Sequence, residues 1–264
     1  FVVTTMHDVA SAVTLYRLDG TKRDTIDLPG LGSVSGFRGH AGDTETYYVF
    51  NSYLSPGEIF HHDFRTGTST LFRKPSVDFD FENYQTTQVF YPSRDGTKIP
   101  MFLVHRKDLE LDGTNPVLLY AYGGFNQVTR PRFSAALLPW LEQGGIWASA
   151  NLRGGGEYGE EWHKAGMLDK KQNVFDDFIA AAEYLIRERY TNPNRLAIYG
   201  GSNGGTLVGA VVNQRPELFG AAIPAVGVMD MLRFQYFTIG WAWTSEYGSS
   251  EDPELFPVLN AYSP

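Results

Sequence analysis

Leu196-Ala-Ile-Tyr199, Gly200-Gly-Ser202-Asn203-Gly204 and Gly205-Thr-Leu-Val-Gly-Ala-Val-Val212 follow one another without interruption, and this stretch decides the fold. The order is an apolar run, a G-x-S-x-G pentapeptide, then a series of small and apolar residues. It predicts a buried strand, a nucleophile elbow and a helix. In such an elbow the serine occupies a strained strand-to-helix turn, and the flanking glycines are needed because a Cβ there would strike the neighbouring strand or helix. The Ser202 hydroxyl is then pushed outward to meet a substrate. The pentapeptide alone is a weak signal, and its weight comes from the strand before it and the helix after it.

Outward from the elbow, strands alternate with helices. Apolar runs at 117–122, 145–151 and 221–225 read as strands, and residues 173–189 read as an amphipathic helix. Such alternation implies a parallel sheet, hence an α/β fold. The helix carries Phe175, Phe178, Ile179, Ala182, Leu185 and Ile186 on one stripe, with Asn173 as its expected N-cap. Asp176 and Asp177 then read as first-turn charges favourable to the macrodipole rather than as catalysts. Upstream, 87–91 and 99–105 flank Arg94-Asp95-Gly96 and predict an antiparallel hairpin.

Residues 1–77 are different in kind. Short β-like runs at 1–5, 13–18 and 58–63 are broken by turn signals, among them Asp19-Gly20 and Thr66-Gly67. Leu15-Tyr16-x-Leu18-Asp19-Gly20 recurs loosely as Ile59-Phe60-x-His62-Asp63 with Gly67, an offset of roughly 44 residues that falls in the blade range of β-propellers. One good blade and part of another are expected. A composition shift after Arg73, through Lys74-Pro75-Ser76, places the boundary near residue 78, giving domains 1–77 and 78–264.

Composition narrows the function classes. Hydrophobic residues make up 42% and charged residues 20% of the 264, as in ordinary globular proteins, and no apolar run approaches the roughly 20 residues needed to span a bilayer. A net charge of -8 with no Lys/Arg run argues against a nucleic-acid partner. There is no cysteine, so neither a disulfide nor a thiolate nucleophile is available. His61-His62 reads as part of a strand edge, not as a metal site. Gly154-x-Gly156-x-x-Gly159 satisfies a dinucleotide fingerprint on paper, but the segment after it, Glu160-Glu-Trp-His-Lys-Ala-Gly166, is too polar for the helix that fingerprint opens. No cofactor or metal is implied. The chain begins inside a strand-like run without an initiator Met and is expected to be a fragment.

Several longer motifs lie in order along the chain: Tyr120-Ala-Tyr122-Gly-Gly-Phe125, Asn151-Leu-Arg-Gly-Gly-Gly-Glu-Tyr-Gly159, Trp162-His163, Lys171-Gln-Asn-Val-Phe-Asp-Asp-Phe178, the elbow itself, and Gly240-Trp-Ala-Trp-Thr-Ser-Glu-Tyr-Gly248. With them the chain closely resembles the prolyl oligopeptidase family of serine peptidases. The resemblance implies an α/β-hydrolase domain with a parallel-sheet core, capped by a seven-bladed propeller that admits only short peptides. It implies cleavage on the carboxyl side of proline in short proline-containing peptides, a branch favoured by Asn203 and Tyr158. A monomer is expected, in the cytoplasm, with the periplasm as the alternative.

Residue roles follow. Ser202 would attack the peptide carbonyl and form an acyl-enzyme. The Asn203 backbone N-H, next after the nucleophile, would donate to the oxyanion. From the residues alone Tyr122 is a core tyrosine ending a buried strand; the resemblance makes its hydroxyl the second oxyanion donor. The resemblance likewise makes Trp243, Tyr247, Phe125 and Val228 the proline pocket, where a flat indole stacks on a pyrrolidine ring. Val228 is equally readable as ordinary core.

A triad of this type runs Ser, Asp or Glu, His along the chain. No histidine follows Ser202. His163 lies upstream and reads as a loop residue with a structural role, and neither Asp230 nor Asp252 matches the family's catalytic acid. The acid and base are expected beyond Pro264, so this chain alone is expected to be inactive. Two other readings stay open: an esterase or different peptidase on the same fold, and a non-catalytic scaffold.

Overall fold

A computed structural model describes residues 1–264 and divides them into two compact units, residues 1–87 with 130–139, and residues 88–129 with 140–264. In the first unit β1 (Val2–His7), β2 (Ala10–Tyr16) and β3 (Lys22–Ile26) form an antiparallel three-stranded sheet. β4 (Ser33–Gly36), β5 (Glu45–Ser52), β6 (Ser55–Asp63) and β7 (Thr68–Arg73) form a four-stranded antiparallel meander. Alternation does the sorting: along β5, Thr46, Tyr48, Phe50 and Ser52 point inward while Glu45 and Tyr47 face out. Tyr48 stacks on Phe60 of β6 with centroids 5.3 Å apart. Both copies of the 44-residue repeat occupy corresponding places, each in the strand that leads through a turn with a positive-φ glycine, Gly20 or Gly67, to the last strand of its sheet.

Two details differ from the sequence reading. His61 and His62 lie on β6, which is paired on both sides and is not an edge. The turn joining β1 to β2 is Asp8-Val9, both at positive φ (45° and 69°), a two-residue hairpin turn with no glycine to announce it.

The second unit is built on one sheet. β8 (Tyr84–Pro92), β9 (Lys98–Arg106), β10 (Val117–Tyr120), β11 (Ile146–Ala150), β12 (Leu196–Gly201) and β13 (Ala221–Ala225) lie in the order β13-β12-β10-β11-β9-β8. β11, β10, β12 and β13 are parallel, whereas β9 runs antiparallel to β11. The sheet is therefore mixed, with the expected parallel core. Seven successive residues of β9 are buried, as a strand covered on both faces requires. Pro224 sits in β13, opposite Gly200 of β12.

Around the sheet are α1 (Leu138–Glu142), α2 (Glu160–Lys164), α3 (Gln172–Arg187), α4 (Asn203–Gln214), α5 (Thr244–Tyr247) and α6 (Phe256–Tyr262). α3 buries Val174, Phe175, Phe178, Ala181, Ala182 and Leu185 against the core. It begins one residue before Asn173, with Lys171 preceding it, so Asn173 is not its cap; the Asn173 amide donates to the Ala165 carbonyl at 2.9 Å. Asp177 is not an end charge either. It is fully buried and accepts from the Arg153 guanidinium at 2.6 Å.

Candidate active site

The site is assembled where the C-terminal ends of β10, β12 and β13 meet. Ser202 has φ 57° and ψ -119°, a conformation costing on the order of 1–3 kcal/mol for a residue with a side chain. Three backbone bonds hold it there. The Ser202 N-H donates to the Ala225 carbonyl at 2.9 Å, tying the turn to β13, and the Ser202 carbonyl accepts from the N-H groups of Gly205 (2.9 Å) and Thr206 (3.2 Å), opening α4. The side chain is exposed while the nine residues after it are buried.

Close approach explains the glycines. A Cβ on Gly200 would strike the Gly204 carbonyl, one on Gly204 would come within 2.6 Å of the Ala121 carbonyl oxygen, and one on Gly205 within 2.5 Å of the Ala225 oxygen. Gly201 has open space. The expected clash thus holds at the first and last glycines of the pentapeptide.

β10 and β12 pair Tyr120 with Tyr199, so the chain leaving β10 runs alongside the elbow. Tyr122 follows that strand end, half-buried, with its Cα 3.5 Å from where a Gly204 Cβ would lie, and its carbonyl accepts from the Asn203 side-chain amide. The Asn203 N-H is among the first four of α4, which have no intrahelical acceptor. Tyr122 and Asn203, the residues assigned as oxyanion donors from the sequence, are therefore neighbours through the Tyr122 backbone.

The four residues assigned to a pocket from the resemblance cluster less uniformly. Phe125 and Tyr247 meet edge to face with centroids 5.5 Å apart, and Phe234 packs the same way on Tyr247, also at 5.5 Å. Tyr247 is buried, which raises its phenol well above the ordinary range, and its hydroxyl donates to Asn203 Oδ1 at 2.8 Å. Trp243 and Val228 are half-buried against the same core, and the Val228 N-H donates to Thr206 Oγ1 at 2.9 Å.

A buried polar network behind these residues was not foreseen. Lys171, 1% exposed, directs its ammonium at Gly123 O (3.2 Å), Asn203 Oδ1 (3.3 Å) and Glu246 Oε1 (3.5 Å). Glu246, itself 3% exposed, also accepts from the Phe125 N-H (2.9 Å) and meets His163 Nε2 at 2.7 Å. Burial pushes Lys171 down to about 8, against the Glu246 carboxylate, which raises it. His163 is thus a helical residue of α2 paired to a buried carboxylate rather than a loop residue. Lys171 and Glu246 stand inside motifs quoted above, but a lysine ahead of an amphipathic helix reads as solvated, and no spacing rule marks it as buried.

The two aspartates downstream of Ser202 are engaged elsewhere: Asp230 pairs with Arg233 at 2.6 Å, and Asp252 accepts from the Glu254 N-H at 2.9 Å. No helix is long and apolar enough to cross a membrane.

Residues 131–264 match the model of the prolyl oligopeptidase family, and residues 1–75 match that of the prolyl oligopeptidase N-terminal β-propeller domain. The chain belongs to the prolyl oligopeptidase family. It is 49% identical over 265 residues to a prolyl endopeptidase of Elizabethkingia meningoseptica, and 45% identical over 268 residues to one of Dictyostelium discoideum. Each alignment covers all of this chain, but 38% and 35% of those relatives respectively. Among solved structures, a prolyl endopeptidase superposes with a TM-score of 0.92 at 53% identity, covering 99% of this chain and 39% of that one. Prolyl oligopeptidase B of Galerina marginata, solved with a 25mer macrocyclization substrate, gives 0.93 at 40% identity, covering 100% and 37%. The fold is accordingly that of this family: an α/β-hydrolase domain with the elbow at its parallel core, preceded by the antiparallel sheets of the propeller domain. The chain spans somewhat over a third of the length of these relatives.

Proposed function

We propose that this chain is part of a serine endopeptidase that cleaves short peptides on the carboxyl side of proline, with residues 78–264 in its catalytic domain and 1–77 ending its propeller. The observation that carries this reading is the Ser202 elbow with Asn203, Tyr122 and the Phe125–Tyr247 wall around it. Ser202 Oγ attacks the carbonyl carbon of the proline residue while a general base takes its proton. The negative charge gathering on the carbonyl oxygen is met by the Asn203 N-H and the Tyr122 hydroxyl, donors already in place when the charge develops. The amine leaves with the proton returned by the base, and water then hydrolyses the Ser202 ester.

Base and orienting acid would come from residues following Pro264 in the whole protein, as the chain order of this fold requires and as the greater length of the relatives supports. Without the base, kcat falls about a millionfold in comparable serine proteases, so this chain alone should not turn over substrate. Trp243, Tyr247, Phe125 and Val228 would form the proline pocket, the indole lying flat on the pyrrolidine ring. From the family resemblance we take the whole protein to be a monomer in the cytoplasm, with the periplasm as the alternative; the net charge of -8 and the lack of a basic run in this chain speak against a nucleic-acid partner.

The test is turnover by the complete protein of matched fluorogenic peptides ending in Gly-Pro, Gly-Ala and Gly-Arg. A pocket that buries two extra methylenes, each worth about 10- to 200-fold, should favour proline over alanine by about 100-fold or more in kcat/KM. Trp243→Ala should erode that preference, and Ser202→Ala should abolish turnover. Hydrolysis of simple esters with no cleavage of any of the three peptides would favour an esterase instead.

A further inference from the structure

Behind the elbow, one buried cation and one buried anion join four segments that are far apart in sequence. Lys171, just ahead of α3, donates to the Gly123 carbonyl and to Asn203 Oδ1; Glu246 on α5 accepts the Phe125 N-H and His163 Nε2 from α2. Phe125 and Asn126 both have φ 55°, an uncommon state for residues with side chains, and the N-H of Phe125 is fixed by Glu246 at 2.9 Å. The turn that carries Tyr122 into the pocket wall is thus tied at both ends to the same ion pair. On the other side, a Cβ at Gly124 would lie 2.5 Å from Asn203 Nδ2, so the turn and the Asn203 side chain are packed without slack.

Stability does not account for this arrangement. Replacing a buried ion pair by apolar residues of similar size is often neutral or stabilising, whereas the polar bonds made here, apart from that to His163, end on the Gly123–Phe125 turn and on Asn203. We propose that the Lys171–Glu246 pair is a positioning device, holding the Gly123–Phe125 turn and the Asn203 side chain so that the Tyr122 hydroxyl, the Asn203 N-H and the Phe125–Tyr247 wall keep their places around Ser202. The proposal rests on the peptidase reading above. The groups facing the pair are His163 from α2, the Tyr247 ring, 5.2 Å from the Lys171 ammonium, and the Tyr262 hydroxyl of α6, whose phenol is raised by burial and by the Glu246 charge. Loss of the Lys171 proton at about pH 8 would leave Glu246 without its cation.

The experiment uses the complete protein carrying Lys171→Met with Glu246→Gln, so that no charge is left buried alone, beside the exposed-neighbour control Lys170→Met. The readouts are kcat and KM on the Gly-Pro substrate and the rate of Ser202 modification by a fluorophosphonate. Misplacing reacting groups by about 1 Å can cost on the order of 100-fold, so kcat and the labelling rate of the double variant should fall by about that factor with KM little changed, while Lys170→Met matches wild type. A folded double variant with wild-type kcat and labelling would overturn the positioning role and leave the peptidase reading standing. A wild-type protein without turnover or labelling would overturn the peptidase reading and the role with it. Should the double variant not fold, the wild-type pH profile decides: labelling that declines through an apparent pKa near 8 while thermal stability holds supports the device, and labelling flat to about pH 9.5 overturns it.

Discussion

A single methyl group distinguishes the two adjacent glycines that lead into Ser202. At Gly200 it would meet the backbone of Gly204, which cannot move without unwinding the start of α4, whereas at Gly201 it would meet nothing. Gly200→Ala is expected to cost about 2–3 kcal/mol or more, the range of overpacked core sites, and Gly201→Ala less than about 0.5 kcal/mol, both read from urea unfolding. Equal effects would contradict the close approach. Lys171 adds a pH dependence of definite sign. Its folded pKa of about 8 lies below the 10.5 of a free lysine, so between those values the unfolded chain binds the extra proton and stability rises with pH. The penalty of burying the charge is fully present below 8. Urea midpoints of wild type measured against the Lys171→Met/Glu246→Gln variant should therefore improve from about pH 7.5 to 9.5. A constant difference would show that Lys171 does not titrate in this window. The elbow and its glycines were legible because an elbow has a spelling; the buried lysine was not, because nothing local distinguishes it from the solvated Lys170 beside it.

At the scale of elements, α3 shows what periodicity can and cannot deliver. Its apolar stripe predicted the buried face, since Phe175, Phe178, Ala182 and Leu185 all lie in the core. Asp177 looked like a helix-end charge only because its partner, Arg153, is 24 residues away and is brought opposite by the glycine loop between them. Asp177→Ala leaves that guanidinium buried with only the half-exposed Asp95 as an anion, and should cost about 3 kcal/mol or more. Asp176→Ala, at a half-buried position, should stay within about 0.5 kcal/mol in the same chemical-denaturation series. Losses of similar size at both positions would argue that the Arg153 pair adds nothing. Short apolar runs gave the parallel core strands, yet they could not show that β9 runs antiparallel to β11, because direction is a property of connections rather than of the strand's own residues.

For the molecule as a whole, the propeller sheets and the α/β-hydrolase sheet were both readable in outline, the first from a loose 44-residue repeat and the second from strand-helix alternation around the elbow. The proposed pocket rests on the resemblance to a family alone, since aromatic residues at those spacings serve a core equally well. The central claim is that Ser202 is the nucleophile of a proline-selective peptidase. It is tested most directly by reacting the complete protein with matched diaryl phosphonates, one built on proline and one on arginine, in which phosphorus takes the place of the scissile carbonyl. Peptide mapping by mass spectrometry then locates the adduct. The account predicts a single adduct on Ser202, formed at least about tenfold faster with the proline compound and absent in Ser202→Ala. An adduct on another residue, or equal rates for the two compounds, would contradict it.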